Sequence, residues 1–299
     1  MQFDHKQAEA LLAVIDTGSF EQAAHELHLT ASAISQRVRQ LETQLGTPLL
    51  VRSRPCRATM AGQQLLQYLR RARLLEQDFF ASFSGEQSMP LSVPLAVNAD
   101  TLSTWLLPAL SDFLISENVL ISLTVDDQDH TYSLMQEGQA LACVSAEPNP
   151  MQGCMVHELG VLRYRMLASP VFHARWFGKG YHREAARVAP VMVFNRKDAL
   201  QAGFLQQLFG LRPGSYPEHH VPASEPYLQS ILLSLGYGMV PHLQADEYIA
   251  RGELIDVAPQ KPTDVVLYWH HWKVQSPRLE RLSRRLVEAA RQTLLTRLD

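Results

Sequence analysis

Over residues 5–46 apolar side chains recur at three- and four-residue steps, the spacing of one face of an α-helix. Ala8, Leu11, Leu12 and Ile15 mark a first helix that ends near Gly18. Ser19, with Gln22 three residues on, makes a capping-box start to a second helix, whose Phe20, Ala23, Ala24 and Leu27 face inward. Thr30 caps a third helix, on which Ile34, Val38, Leu41 and Leu45 form the apolar stripe. At about 100° per residue, the opposite face holds Ser32, Gln36, Arg39 and Gln40, with Ser35 on its flank and Arg37 nearer the apolar edge. After Gly46 and Pro48, "LLVRSRPCRATMAG" predicts a short strand, an arginine-rich turn and a second strand. From Ala61 to about Phe83 one long helix is expected, with Leu65, Leu69, Ala72, Leu75, Phe79 and Phe83 along a single seam. "SGEQSMP" at 84–90 then breaks it.

Beyond residue 90 the pattern changes. "LSVPLAV", "VLISLTVDD" and "QALACVSA" are strands, separated by helices in "NADTLSTWLLPALSDFL" and "HTYSLMQEG". The alternation resumes with "APVMVF", a helix around 201–210, "SEPYLQSILLSLG" as a helix, "GYGMVP" as a strand, "VVLYWHHW" as a late strand and a closing helix over 277–298. Strands alternating with helices build parallel sheets. The fold class expected is therefore mixed α+β and multi-domain. A winged helix-turn-helix over 1–60 and a linker helix over 61–87 precede a ligand-binding domain over 88–299. That domain divides into two α/β lobes, about 91–163 with 266–299 and about 164–265, joined by crossings near "LGVLRYRML" and Asp264–Tyr268.

Two short helices, a turn and a longer helix with an exposed Ser/Gln/Arg face form a helix-turn-helix, which places a helix in the DNA major groove. Ser32, Ser35, Gln36 and Arg39 can reach base edges there, and Arg37 is a phosphate contact or a structural residue. Arg52, Arg54 and Arg57 in the wing are suited to phosphates or the adjacent minor groove. The formal net charge of −3 excludes a wholly basic nucleic-acid binder, yet residues 31–59 hold five arginines against Glu42 alone. The alternative is a surface helix pair with a solvated face. A long helix with one apolar seam packs against a partner helix or lies on its own domain.

A cleft between two α/β lobes binds small ligands at strand carboxyl ends. "AVNADTLSTW" turns from strand to helix at Asp100–Thr101, so the amides of Thr101, Leu102 and Ser103 and the Thr101 and Ser103 hydroxyls suit a carboxylate. On the other reading, Asp100 or a hydroxyl caps the helix. Asp126, Asp127 and Asp129 in "VDDQD" supply negative charge, and Ser224 and Glu225 open a later helix. These acids suit a zwitterion with a cationic side chain, or are solvated loop residues. No apolar run reaches the ~20 residues of a membrane span, and the N-terminus lacks a signal-peptide pattern. Cys56, Cys143 and Cys154 have no metal or disulfide spacing and fit a reducing cytoplasm. "HELH" at 25–28 lies inside the helix-turn-helix, and the pairs His219–His220 and His270–His271 point apart as neighbours on a strand. With no phosphate loop, nucleophile elbow or dinucleotide motif, neither an enzyme nor a cofactor or metal site is expected.

"SFEQAAHELHLTASAISQRVRQLETQLGTPLLVR", followed by Thr59 and Ala61-Gly62, resembles the winged helix-turn-helix of the LysR-type transcriptional regulators. That family often has Gln where this chain has Ala31, which moves the weight of base reading to Ser32, Ser35, Gln36 and the wing. "LAVNADTLSTWLLPAL", "SEPYLQ", "MVPHLQ", "GELID" and "LYWH" resemble the ArgP/LysG subgroup along the whole chain, as does Gly138-Gln139-Ala140-Leu141 where most of the family has a G-x-L-D motif. The resemblance implies periplasmic-binding-protein-like subdomains in a cytoplasmic, double-stranded-DNA-binding homodimer or homotetramer. It also implies response to L-lysine or L-arginine, control of a basic amino-acid exporter gene, and RNA polymerase as a partner. Two other readings stand beside it: a nucleoid-associated protein or inhibitor of replication initiation with no effector, and a carrier or enzyme with an appended DNA-binding domain.

Overall fold

The computed structural model describes residues 4–81, 90–127 and 130–296. Helix α1 (His5–Thr17) starts where the Asp4 carboxylate accepts the Lys6 amide and stops at Gly18, whose φ of 72° suits glycine. In α2 (Phe20–Glu26) the Ser19 hydroxyl accepts the Gln22 amide at 3.2 Å, while the Ser19 amide itself donates to Thr17 Oγ1. The capping box is thus half made. Thr30 Oγ1 accepts the Ala33 amide at 3.1 Å to open α3 (Ala31–Leu45).

Strands β1 (Leu50–Val51) and β2 (Arg57–Ala58) pair antiparallel as the wing. Glu42 fixes the wing to α3, its Oε1 accepting the amides of Leu49 and Leu50 at 2.9 and 3.3 Å. Leu11, Val14, Ile34, Val38, Leu41 and Leu49 form the core of this domain.

Helix α4 (Met60–Ala81) crosses from this domain to the next. Gly62 has to be glycine, because a Cβ there would lie 2.1 Å from the Leu49 carbonyl oxygen. The expected single seam is divided. Leu65 and Leu69, with Leu66, are buried in the DNA-binding core of their own subunit. Leu74 joins the core of the larger domain, while Phe79 is 59% exposed. These leucines of the first turns of α4 share one core with Leu49 and Leu50 of the wing, so they face into their own domain. Phe83 and the break at 84–89 lie outside the described residues.

In the larger domain β3 (Leu91–Val97) runs parallel to β4 (Val119–Val125) and β5 (Ala142–Ser145). Helical residues Ala99–Thr101 (α5), a π-helical stretch over Leu102–Leu106 and α6 (Leu107–Ser116) connect β3 to β4, and α7 (Thr131–Gln136) precedes β5. Strand β6 (Cys154–Ala168) pairs antiparallel with β11 (Thr263–Trp272) from Cys154 to Tyr164. Farther along, β6 carries β9 (Gly238–Pro241) and β10 (Ile255–Asp256). The sheet order is β10-β6-β11-β5-β3-β4, with β9 also on β6. Both crossings are therefore continuous strands. A second sheet pairs β7 (Val191–Val193) with β8 (Glu218–His220). Around it lie α8 (Pro170–Phe177), α9 (Arg183–Val188), α10 (Leu200–Phe209), α11 (Ser224–Leu232) and α12 (His242–Ala250).

The closing α13 (Pro277–Thr293) packs on β6 and α6. It is joined to the linker by Arg278, whose side chain and amide both donate to the buried Asp78 carboxylate.

Candidate nucleic-acid interface and ligand cleft

On α3 the 3.6-residue period that buries Ile34, Val38 and Leu41 leaves Ser32, Gln36, Arg39 and Gln40 exposed and Ser35 and Arg37 half-buried. In the wing Arg52, Arg54 and Arg57 are exposed. Arg52 differs from the other two. Its guanidinium lies 3.7 Å from Glu42 and 5.4 Å from the centre of the Phe20 ring, so its charge is already shared within the domain. His25 and His28 of "HELH" are both exposed, and His28 takes a φ of 52° after the end of α2.

A cleft of about 550 Å³, counted out to solvent at its mouth, opens where β3, β4, β6, α10 and α11 converge. Four carboxylates line it, those of Asp100, Asp126, Asp127 and Asp198, with no lysine or arginine among its lining residues. Asp100, at the start of the helical run after β3, accepts from Tyr164 of β6 and from Ser224 of α11, each at 2.7 Å. Burial pushes the Asp100 carboxyl above the usual carboxylate range; the Ser224 and Tyr164 hydrogen bonds oppose that rise and neighbouring Asp198 adds to it. Burial and the charge of Asp100 raise the Tyr164 phenol well above its ordinary value, so it stays a donor.

Asp198 is held by its own turn, accepting the amides of Phe194 and Leu200 at 3.1 and 2.9 Å. Burial alone would raise Asp126, but Lys197, the Asp127 amide and nearby His130 hold its carboxyl below its ordinary value. With its own proton on Asp100, the Ser224 hydroxyl accepts from Gln244 Nε2 at 3.1 Å. Asn98, 3% exposed, lines the cleft with its Oδ1 unpaired.

Of the residues the sequence nominates, Asp100, Asp126, Asp127 and Ser224 meet in this cleft. Three do not. Helix begins at Ala99 rather than at Thr101, and the Leu102 amide is already spent on the Asn98 carbonyl. Thr101 is consequently fully buried beneath the helix start, and Ser103 faces solvent. Glu225 is exposed, because one step of about 100° along α11 turns it away from the side on which Ser224 faces the cleft. Asp129 lies outside the described residues.

Asn98, Tyr164, Asp198, Gln201 and Gln244 were not singled out from sequence, though all line the cleft. Only "VNADT" carried a signal, a polar residue closing a buried strand directly before Asp100. The histidines of β11 point to opposite faces as expected. His270 Nε2 meets the Glu147 carbonyl at 2.7 Å, and His271 Nε2 meets His157 Nε2 at 3.1 Å. Among the described residues no cluster of three metal-ligating side chains occurs, and no helix is long and apolar enough to cross a membrane.

Residues 5–63 match the bacterial regulatory helix-turn-helix protein of the lysR family, and residues 92–291 match the LysR substrate binding domain. This chain belongs to the LysR family. The first LysR match spans α1 through the start of α4, and the second holds both walls of the cleft. The chain is 41% identical over 292 residues to the HTH-type transcriptional regulator ArgP of Aeromonas salmonicida, covering 97% of this chain and 98% of that protein. The crystal structure of ArgP from Mycobacterium tuberculosis superposes with a TM-score of 0.85 at 38% identity, covering 99% of this chain and all of that one. Full-length LysG from Corynebacterium glutamicum with bound effector Arg gives 0.79 at 34% identity, covering 98% of this chain and 100% of that one. This LysR protein is thus an ArgP- and LysG-like transcriptional regulator, with a DNA-binding domain at residues 5–63 and a small-molecule domain behind it.

Proposed function

We propose that the regulator responds to L-arginine or L-lysine, bound in the cleft at Asp100. The observation that carries this reading is the acidic lining: four carboxylates and no lysine or arginine among the lining residues, Lys197 reaching Asp126 from outside them. A dibasic amino acid brings two positive groups and one negative group, which fits that balance better than a neutral or acidic ligand. Asp100 and the unpaired Asn98 Oδ1 accept the α-ammonium. Asp198 with Asp126 and Asp127 receives the side-chain cation, and Gln244 with the helix-start amides of Ala99 and Asp100 faces the α-carboxylate. The arginine bound to LysG, a relative alike over nearly the whole chain, supports the same ligand class.

On the DNA side, Ser32, Ser35 and Gln36 read base edges, with Arg39 beside them, and Arg54 and Arg57 neutralise phosphates. Arg37 and Arg52 serve the backbone and the packing of the wing. In this reading the protein acts in the cytoplasm as a homodimer or homotetramer, recruits or contacts RNA polymerase, and controls a basic amino-acid exporter gene.

Calorimetric titration of the full chain with L-arginine, L-lysine and L-norleucine tests the assignment. Norleucine keeps the α-groups and loses the cation, and loss of one desolvated charged contact costs about 2–5 kcal/mol. Arginine or lysine should bind at least about thirtyfold more tightly. Equal affinities would remove the basic amino-acid reading and favour a DNA-binding protein without such an effector.

A further inference from the structure

Asp126 has two neighbours in play, the cleft and Lys197. Its carboxylate lines the cleft, and Lys197 Nζ, whose residue is not among the lining ones, lies 2.8 and 2.9 Å from the two carboxylate oxygens. The partners come from opposite walls: Asp126 follows β4, and Lys197 belongs to the turn between β7 and α10. That turn is rigid. The Lys197 amide donates to Asn195 Oδ1 at 2.7 Å, and Asp198 takes the amides of Phe194 and Leu200. The rest of the Lys197 side chain is free of such ties. Its side chain is 51% exposed, against 24% for Asp126, so the ammonium sits on a flexible stem at the rim.

A lysine ammonium therefore already occupies the carboxylate that faces the cleft. It is chemically the same group as the side-chain terminus of free lysine. We propose that Lys197 is a resident competitor for the ligand's side-chain cation, and that its departure from Asp126 accompanies binding and sets the affinity for the ligand. The inference rests on the basic amino-acid reading above. Two cations crowded on one carboxylate repel, and a half-exposed ion pair is weak enough to open. The Lys197 ammonium regains water at the rim when it swings away. The ligand's cation, approaching from inside, then meets Asp126 in a less hydrated setting, where a charged contact is stronger. Affinity for dibasic ligands is thereby lower than the acidic cleft alone would give.

The test is titration of wild type, Lys197→Met, Asp126→Asn and the double variant with L-arginine and L-norleucine. Lys197→Met should bind arginine about two- to fivefold more tightly than wild type, the range expected for losing an exposed competing pair. Its norleucine affinity should not change. In the Asp126→Asn background the same substitution should give no gain, because the contested carboxylate is gone. Unchanged or weaker arginine binding by Lys197→Met overturns the proposal, the weaker case meaning that Lys197 closes the cleft over the ligand. An equal gain in the Asp126→Asn background also overturns it, since the effect would then be general charge. If wild type binds arginine no better than norleucine, the ligand reading itself fails. If wild type discriminates but Lys197→Met gains nothing, only the competitor fails.

Discussion

Asp100→Asn separates what the cleft does for the ligand from what it costs the fold. The carboxylate is buried, receives the Tyr164 and Ser224 hydroxyls, and is pushed above its ordinary pKa chiefly by burial. A carboxylate whose folded pKa is raised above the unfolded value of about 3.9 destabilises the fold once ionised. Its stability contribution is complete below the unfolded pKa and is lost as pH rises through the raised folded one. Asparagine removes that titration and keeps one acceptor. The second hydroxyl can rotate to accept from Nδ2, for a loss within about 1 kcal/mol. Ligand-free Asp100→Asn should therefore melt higher than wild type at pH 7–8, and the gap should close as pH falls through the raised pKa and wild-type Asp100 protonates. Ligand binding should move the other way. Removing a desolvated carboxylate that pairs with an ammonium costs about 2–5 kcal/mol, so arginine affinity should fall at least about thirtyfold. Melting curves across pH and calorimetry at pH 7.5 read both. If the variant binds arginine like wild type and shows no pH-dependent melting gap, Asp100 is neither the ammonium partner nor a strained carboxylate.

Gln36→Ala should cost roughly 1–3 kcal/mol at the operator only, whereas Arg54→Ala or Arg57→Ala should weaken all DNA and flatten the salt dependence. Anisotropy titrations at several salt concentrations read both, and intact operator preference in Gln36→Ala would refute the facing of α3. Phe79→Asp, at an exposed linker position, should dissociate the dimer in sedimentation without loss of helicity, while Leu69→Asp, within the DNA-binding core, should unfold that domain. Dissociation by neither would place the dimer contact off α4. Asp78→Asn leaves Arg278 buried without its counter-ion and should destabilise by about 3–5 kcal/mol in thermal melts. Burial alone would raise Asp78, but Ser276 and Arg278 hold it below its ordinary value. The stability it contributes is thus present above the unfolded carboxylate pKa and lost as pH falls through the depressed one, so the deficit of the variant should shrink in acid.

What could be read from the sequence was what neighbours in sequence decide. The caps at Ser19 and Thr30, the stop at Gly46 and the exposed Ser32–Gln36–Arg39 face all depend on residues within one or two helical turns. The family resemblance rested on the same local features. Cleft residues were half legible. Asp100, Asp126 and Asp127 follow strand ends, where a ligand site is expected. Tyr164 reaches Asp100 only because β6 continues through the crossing, and Asp198 arrives from a turn on the other wall. No spacing announces either. The misplaced residues show the limit in angular terms: starting the helix at Ala99 instead of Thr101 turns Ser103 outward, and one step along α11 separates Ser224 from Glu225. The seam of α4 was legible only in part, for another reason. Periodicity says that a face is apolar but not which surface covers it: the DNA-binding core takes Leu65 and Leu69 of the seam, Ala72 and Leu75 stay half-buried and Phe79 exposed, and Leu74, off the seam, enters the other core.

That sharing constrains how the cleft can act on DNA. Leu65, Leu66 and Leu69 belong to one core and Leu74 to the other, so α4 is gripped by both domains within three helical turns. Between the two grips the turn after α7 rests on the same helix. Gln67 donates to the Gln136 carbonyl, and Arg70 donates both to the Gly138 carbonyl and to Asp16 of α1. Gly138 has a φ of 73°, and a Cβ there would stand 3.0 Å from the Gln67 amide nitrogen, so the close approach depends on glycine. At its other end α7 is fastened to the cleft, since the His130 and Thr131 amides donate to the Asp127 carbonyl at 2.8 and 3.0 Å. Six helical residues, about 9 Å of axial rise, thus separate a cleft-lining aspartate from the contact with α1. Beyond Gly62 the helix has no glycine or proline at which to kink. A rotation of the ligand-binding domain against the DNA-binding domain would therefore have to bend a continuous α-helix, or free it from one of the two leucine cores along with breaking the Arg70 contacts.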